Sequence, residues 1–311
     1  MPRVITVGEI LVEIMANDID QSFLKPGQLT GPYASGAPAI FIDQVARLQG
    51  DCGIVASIGD DDFGVMNYER LKEDGVDVSQ IVTRENYTTG TAFVTYYSDG
   101  SREFIYHFTH SAAGQLSPDD IDYNYISSAS YLHIMGCSLS TSQSMRAAIS
   151  KAVKIAEEEG LKISFDPNLR PELLDVKEVR EIFSDILYRA DIILSGREEL
   201  TALMPGSEKQ NINKLIDSGV EIIVLKSAAQ DVKVYENDSV WSYTPPQVEE
   251  VDPTGAGDCF DGAFIAALAE GYGTKKAVAR GAAAGAISVM KKGPMEGAAY
   301  QHEIDKYIDI R

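Results

Sequence analysis

The sequence is poor in cysteine, in basic residues and in long apolar runs. Its three cysteines, Cys52, Cys137 and Cys259, are an odd number with no C-x-x-C spacing, which argues against a disulfide framework or a cysteine zinc site. Lysine and arginine number 27 against 47 aspartate and glutamate residues, so the net charge is −20. Without a basic run to bind phosphate backbones, a nucleic-acid partner is not expected.

No stretch approaches the roughly 18 uninterrupted apolar residues that a membrane span needs. The first residues lead directly into a strand-like segment rather than into a signal peptide. With 44% hydrophobic and 24% charged residues among 311, the composition is that of a folded globular protein. These features predict a cytosolic protein with no membrane partner and with reduced, mostly buried cysteines.

Short apolar runs rich in β-branched residues alternate with helix-like segments. Strands that do not alternate in polarity and are separated by helices are typical of a parallel sheet in an α/β layer architecture. Two helices show clear ends: residues 141–159 carry one apolar stripe, and residues 63–74 follow a candidate cap at Asp62. The predicted strands are residues 4–7, 53–57, 131–135, 162–165, 192–194 and 222–225.

Two segments interrupt this alternation. The segment 13–33 is irregular, and 91–97 and 103–108 predict a hairpin around a Ser-Asp-Gly-Ser turn. We therefore expect one α/β domain over residues 1–311, with an inserted β lid formed by about 13–33 and 89–108. A hairpin that only decorates the sheet edge is the alternative to a lid.

Residues 252–258 read D-P-T-G-A-G-D and lead into an apolar helical run. Gly255 and Gly257 leave backbone amides accessible at the start of a helix, whose positive dipole end favours an anion. Asp258 would then lie beside that anion, where a carboxylate can take the proton of a hydroxyl that attacks phosphorus. The alternative is a tight turn with Asp258 as a helix cap.

This pattern resembles the D-T-x-G-A-G-D signature of the PfkB or ribokinase family of sugar kinases. The resemblance implies that Asp258 is the catalytic base and that the amides of Gly255, Ala256 and Gly257 form an anion hole. It further implies a ribokinase-like three-layer sandwich with a mostly parallel central sheet and a small β lid. ATP and Mg²⁺ are the implied cofactors, K⁺ is left open, and a homodimer that pairs through the lid is expected.

Four other segments match the family on the acceptor side. Residues 7–13 resemble its opening strand, 35–40 read S-G-A-P-A-I, 106–113 lie in the hairpin, and 166–170 read D-P-N-L-R. In the family, an acidic residue of the first segment bonds to sugar hydroxyls, and an arginine can offer a forked donor to substrate oxygens. The residues assigned to the sugar are Glu13, Gly36, Ala37, Tyr106, His107 and Arg170.

On the nucleotide side, the resemblance assigns Glu199 to water around the magnesium ion. It also places the nucleotide along a loop after strand 222–226, where Ala228 and Asp231 replace the usual glycines, and along an Ala/Gly-rich helix at 280–292. Small side chains there would let the adenine ring pack against the backbone. The residues assigned to ATP are Lys226, Ala228, Asp231, Gly257, Ala282 and Gly285.

Phe108 stands where ketodeoxygluconate kinases carry the arginine that binds the substrate carboxylate. A buried carboxylate without a cation is costly unless Arg170 or Arg102 takes over that role, so a neutral sugar is expected, such as fructose or tagatose. The chemistry would be phosphoryl transfer to a primary hydroxyl. The alternatives are a 2-keto-3-deoxygluconate kinase, a nucleoside kinase, and a sugar-sensing protein of the same fold without turnover.

Overall fold

The computed structural model describes residues 3–48, 50–169, 177–228, 230–236 and 239–308. Within these ranges the chain forms two sheets and a set of helices. The strands are β1 (Val4–Val7), β2 (Leu11–Ala16), β3 (Leu29–Ser35), β4 (Cys52–Gly59), β5 (Ile81–Arg84), β6 (Gly90–Tyr96), β7 (Arg102–His107), β8 (Tyr131–Met135), β9 (Lys162–Asp166), β10 (Ile192–Gly196), β11 (Ile222–Lys226), β12 (Val232–Glu236) and β13 (Ser239–Tyr243).

The larger sheet has the strand order β13-β12-β11-β10-β9-β8-β1-β4-β5 in the described part of the chain. Its strands from β11 to β5 are parallel, and β12 and β13 add an antiparallel edge. Successive residues Ile192, Ile193 and Leu194 of β10 pack into opposite core clusters. Burial on both faces explains why these strands do not alternate in polarity, and the six predicted strands are confirmed.

Helices cover both faces of this sheet, as the expected three-layer α/β fold requires. Helices α1, α8, α9 and α10 contribute to the core on one face, and α4, α5 and α7 to the core on the other. The helices are α1 (Ala37–Arg47), α2 (Asp62–Asp74), α3 (Tyr123–Ser127), α4 (Gln143–Glu158), α5 (Lys177–Arg189), α6 (Arg197–Leu203), α7 (Glu208–Ser218), α8 (Ala256–Ala269), α9 (Thr274–Ser288) and α10 (Gln301–Ile308).

Two helix boundaries differ from the prediction. The cap of α2 is Asp61 rather than Asp62, because the Asp61 carboxylate accepts the Gly64 amide at 2.9 Å and also the Thr89 amide at 2.7 Å. The Ala/Gly-rich helix is α9 and ends at Ser288, so the prediction of 280–292 is shifted toward the C-terminus. In α4 the cap is Ser142, close to the predicted start.

The smaller sheet has the order β3-β2-β6-β7, and β6 and β7 confirm the predicted hairpin. The segment 13–33 is not irregular throughout, which corrects the sequence interpretation. The segment contains the end of β2, a loop and most of β3, and the two strands pair in antiparallel register. Gly31 and Pro32 weaken the strand pattern of β3, and an edge strand tolerates both.

None of the helices within the described residues has the length and apolar composition needed to cross a bilayer. Cys52, Cys137 and Cys259 are buried and carry free thiols, as expected.

Candidate active site

A cavity of about 530 Å³ lies between the smaller sheet, the carboxyl ends of the parallel strands and the first turn of α8. Open parallel sheets place ligands at this edge. The cavity is lined by thirteen of the predicted site residues: Glu13, Gly36, Ala37, Tyr106, Glu199, Lys226, Ala228, Gly255, Ala256, Gly257, Asp258, Ala282 and Gly285.

The turn before α8 is shaped by glycine. Gly255 has a φ of 81°, and a Cβ there would lie 2.4 Å from the carbonyl oxygen of Pro294. The Cys259 amide already donates to the Gly255 carbonyl at 2.8 Å, and the Ala256 amide donates to Pro253 at 3.4 Å. Among the described residues, the Gly257 amide has no backbone acceptor outside the regular helical hydrogen bonds. The turn therefore offers an anion site that a side chain at Gly255 would disturb.

Asp258 lies in the first turn of α8 and is 7% exposed. Its Oδ1 accepts a hydrogen bond from Asn168 Nδ2 at 2.9 Å. Asn168 has a φ of 38°, and its amide donates to Asp166 Oδ1 at 2.8 Å, so the loop after β9 is locally fixed. The carboxylate expected to act as base is thus oriented by a neighbouring loop, inside the cavity.

Beneath the turn lies a buried ion network that we call the site cluster: Asp166, Lys226 and Asp261. Lys226 Nζ lies 2.9 Å from Asp166 Oδ2 and 2.8 Å from Asp261 Oδ1. Burial alone would lower the pKa of Lys226, but the two carboxylates outweigh it and hold that pKa above its ordinary value. The same ammonium lies 3.5 Å from the position of a Cβ on Gly257, directly next to the anion site.

Burial acts differently on the two acids of the site cluster. It would raise the pKa of Asp166, yet the charge of Lys226 holds that pKa below its usual value. Burial raises the pKa of Asp261 well above its usual range despite Lys226. The ammonium of Lys226 contacts both acids, with one oxygen of Asp166 and both oxygens of Asp261 within hydrogen-bond distance.

Glu199 connects the loops after β9 and β10. Its Oε2 accepts the Gly196 amide at 2.7 Å, and its Oε1 accepts the Leu169 amide at 3.1 Å. Burial, and then the charge of Asp166, raise the pKa of Glu199. No cluster of three or more acidic, histidine or cysteine ligands occurs in the described residues. Both oxygens of Glu199 already accept backbone amides, which suits contact with the waters around a magnesium ion better than direct ligation of the ion.

The acceptor side combines acids with aromatic rings. Glu13 is 7% exposed, and its Oε1 accepts the Ser35 hydroxyl at 2.6 Å. Gly36 has a φ of 111°, and a Cβ there would lie 2.5 Å from the carbonyl oxygen of Glu9. Phe104, Tyr106 and Phe108 form a row of rings along the cavity, with centroids 5.3 and 4.8 Å apart. This wall suits hydroxyl groups on one side and an apolar sugar face on the other.

Three predicted residues are not brought into the cavity. His107 lies on the opposite face of β7 from Tyr106, is exposed, and packs edge-on against Phe93. The strand alternates in direction, so two adjacent residues cannot both point inward. Asp231 Oδ1 accepts the Thr244 hydroxyl at 2.6 Å, and Asp231 is not among the lining residues. Arg170 lies outside the described residues.

Several residues that line the cavity or lie just behind its wall were not assigned from the sequence. Glu9 lies two residues after the end of β1, and its carboxylate accepts from the Ser138 hydroxyl and, at 3.3 Å, from the Cys137 thiol. Asp261 is one turn beyond Asp258 in an otherwise apolar helix, which is the pattern that could have identified it. Asp166 and Asn168 belong to the D-x-N-x-R segment but had no role assigned.

With this geometry in view, similarity to known proteins is informative. Residues 1–299 match the family described as pfkB family carbohydrate kinase. The chain belongs to this family. It is a carbohydrate kinase, a transferase of an ATP-binding family with sugar substrates.

The chain is 43% identical to a putative ribokinase II from E. coli, with full coverage of both chains and a TM-score of 0.95. That protein was solved in an apo form and with ATP and Mg²⁺. The chain is 32% identical over 318 residues to a probable fructokinase-4 from Arabidopsis thaliana, covering 98% and 96% of the two chains. It is 29% identical to a 2-dehydro-3-deoxygluconokinase from Thermoproteus tenax, covering 99% and 94%.

Proposed function

We propose that this protein transfers the γ-phosphoryl group of Mg-ATP to a primary hydroxyl of a neutral sugar, a ketohexose such as fructose or tagatose. The observation that carries the proposal is the position of Asp258: inside the cavity, beside a glycine turn with an accessible amide, and oriented by Asn168. A carboxylate there can act on an acceptor hydroxyl while the turn stabilises the phosphoryl charge.

In the proposed step, Asp258 takes the proton of the sugar hydroxyl as its oxygen forms a bond to the γ-phosphorus. The bond from that phosphorus to the bridging oxygen breaks, and the electron pair leaves with ADP. The amides of Gly255 and Gly257 face the phosphoryl oxygens, and the Ala256 amide would join them on giving up its long hydrogen bond to the Pro253 carbonyl. When bound, Mg²⁺ supplies charge neutralisation to the phosphates, with Glu199 as the contact for its waters.

In this proposal, the nucleotide lies along the turn 255–258 and against α9. Ala282 and Gly285 of α9 line the cavity and leave room for a flat ring. Lys226 and Ala228 line it at the end of β11, where phosphates would pass. Asp231 has no place in this contact set, because its carboxylate bonds to Thr244 away from the cavity lining.

Charge favours a neutral acceptor. Glu9 and Glu13 both line the acceptor side. Phe108 also lines the cavity, at the position where the resemblance to ketodeoxygluconate kinases places a carboxylate-binding arginine. An acidic sugar would meet two acids here, which raises the cost of its burial. Glu13, Gly36, Ala37 and Tyr106 are the contacts we propose for the sugar, and the smaller sheet acts as the lid.

A second candidate is a 2-keto-3-deoxygluconate kinase. It is favoured by one observation, the guanidinium of Arg102 at the cavity wall, which could pair with a substrate carboxylate.

The deciding experiment measures ADP release with Mg-ATP in the presence of fructose, tagatose, 2-keto-3-deoxygluconate and a set of nucleosides. Release that depends on a neutral ketohexose supports the proposal. ADP release only with the acidic sugar or with a nucleoside would show that this compound, and not a neutral ketohexose, is the acceptor. Sugar binding without ADP release would indicate a sensor.

We also propose a homodimer through the outer face of the smaller sheet. Phe93 and Ile105 point away from the cavity there, Phe23 packs edge-on against Phe93 at 6.0 Å, and Ile105 is 41% exposed. Light scattering should give twice the chain mass for the wild type and a smaller mass for Ile105→Glu. A monomeric wild type would refute the dimer.

A further inference from the structure

Arg102 is a cation on the smaller sheet that lies beside residues 252–258, the catalytic turn. It is the first residue of β7, on the strand face that also carries Phe104 and Tyr106, and all three line the cavity. Its Nη1 donates to Thr254 Oγ1 at 3.0 Å. Thr254 directly precedes Gly255, so the guanidinium lies next to the turn proposed to hold the phosphoryl group.

A second side chain fixes the same end of the hairpin. Tyr96 pairs with Arg102 across the β6–β7 register. Its hydroxyl donates to Asp252 Oδ1 at 3.1 Å and lies 3.3 Å from Thr254 Oγ1. Asp252 in turn accepts the amides of Thr254 and Gly293, each at 3.0 Å. The end of the lid is thus bonded to the catalytic turn itself, so the position of Arg102 depends on lid and turn together.

The charges of the cavity give this guanidinium a role. Among the described residues, six acids line the cavity (Glu9, Glu13, Asp166, Glu199, Glu250 and Asp258) against two bases, Arg102 and Lys226. Lys226 is bonded to two carboxylates. For Arg102, no carboxylate lies within ion-pair distance in the described part of the chain, and Thr254 accepts only one of its five N–H donors.

A phosphoryl group that enters an acidic cavity needs a cation that is not already neutralised by protein carboxylates. From this, and resting on the proposed function, we infer that Arg102 is a further catalytic residue. Its guanidinium contacts the oxygens of the γ-phosphoryl group as that group passes from ADP to the acceptor oxygen. Because the lid supplies it, full stabilisation of the phosphoryl charge requires a closed lid.

The test compares Arg102→Met, which keeps the apolar stem, and Arg102→Lys with Glu103→Gln on the opposite face of β7. The probe is ADP with Mg²⁺ and aluminium fluoride, which imitates a phosphoryl group in transfer. The wild type should bind ADP about a hundredfold more tightly with aluminium fluoride than without it. Arg102→Met should lose most of that enhancement with its affinity for ADP alone unchanged, Arg102→Lys should keep part, and Glu103→Gln should keep all.

An equal enhancement in wild type and Arg102→Met overturns the inference, as does no enhancement in the wild type. In turnover, Arg102→Met should lower kcat about a hundredfold with little change in the KM of a neutral sugar. A raised KM confined to an acidic acceptor, with kcat unchanged, would make Arg102 an acceptor-binding residue instead. If no acceptor supports turnover, the proposed function fails, and the aluminium fluoride measurement still decides the role of Arg102.

Discussion

The site cluster of Asp166, Lys226 and Asp261 can be compared with a second group of buried charges far along the chain. This anchor cluster consists of Asp43, Arg47, Arg70 and Asp74 and has four ion pairs of 2.7–3.5 Å, of which two join α1 to α2 and two lie within one helix. Its arginines also donate to the carbonyls of Met295 and Ala298, so it holds the C-terminal segment in place.

The two clusters differ in which groups complete them. In the anchor cluster, protein groups do so, since both arginines lie against the carboxyl groups of Asp43 and Asp74 and donate to backbone carbonyls. The site cluster lies at a cavity wall where acids outnumber bases by six to two in the described residues. Breaking a network that protein groups complete costs stability. A network at a ligand cavity is completed by a charged ligand, so its removal should change function more than folding.

The largest effect is expected for a variant in the active site. Asp258→Asn should lower kcat about a thousandfold, because the amide cannot accept the acceptor's proton. The affinity for the sugar and the free energy of unfolding should remain close to wild type, since the change removes an acid from an acidic wall. Steady-state kinetics, calorimetric titration and urea unfolding measure the three quantities. The exposed Asp60→Asn serves as the control, and near-normal turnover of Asp258→Asn would refute the assigned base.

The opposite pattern is expected in the anchor cluster. Arg47→Leu should lower the free energy of unfolding by about 3 kcal/mol, because it leaves Asp43 and Asp74 with one arginine between them. The kcat of the folded protein should stay within about twofold of wild type. Urea unfolding followed by activity at low temperature separates the two effects. A large loss of kcat without loss of stability would remove the distinction between the clusters.

Much of the fold was predictable because its sequence patterns are local. Strands buried on both faces are continuous apolar runs, and the turn 252–258 is seven adjacent residues with an interpretable chemistry. The ion networks were not predictable, since Lys226 meets Asp261 and Asp166 across 35 and 60 residues of sequence. His107 was misplaced for a smaller reason: adjacent residues of a strand point to opposite faces, and the hairpin pattern did not show which face is inward.

The pH dependence of stability gives a sharper test of the anchor cluster. Burial raises the pKa of Asp43 to about 8, although Arg47 and Arg70 act to lower it. Between the unfolded pKa near 4 and the folded value, the folded chain keeps a proton that the unfolded chain loses, so stability from this group falls as the pH rises. The stability of wild type relative to Asp43→Asn should therefore decrease between pH 5 and pH 8, by up to about 1.4 kcal/mol per pH unit.

Asp61 supplies the control for that measurement, because it lies outside the anchor cluster. Burial would raise its pKa, but hydrogen bonds from Thr89 and Gly64 lower it. It is ionised in both states above pH 5, so the stability difference between wild type and Asp61→Asn should stay constant over the same range. Urea unfolding at each pH measures both differences. If the stability difference between wild type and Asp43→Asn does not change with pH, then Asp43 is ionised in the folded protein at pH 5.

The smallest effect is expected at Asp261, within the site cluster. Since burial keeps this carboxyl well above its usual pKa, Asp261→Asn replaces a neutral group by another of similar shape. Its unfolding free energy at pH 7 should change by less than about 1 kcal/mol. Asp166→Asn should cost more, because it removes the ionised partner of a buried ammonium. Urea unfolding of the two variants under one set of conditions decides the assignment. If Asp261→Asn is the more destabilising, then Asp261 carries the charge that balances Lys226, and the proton in this cluster lies on Asp166.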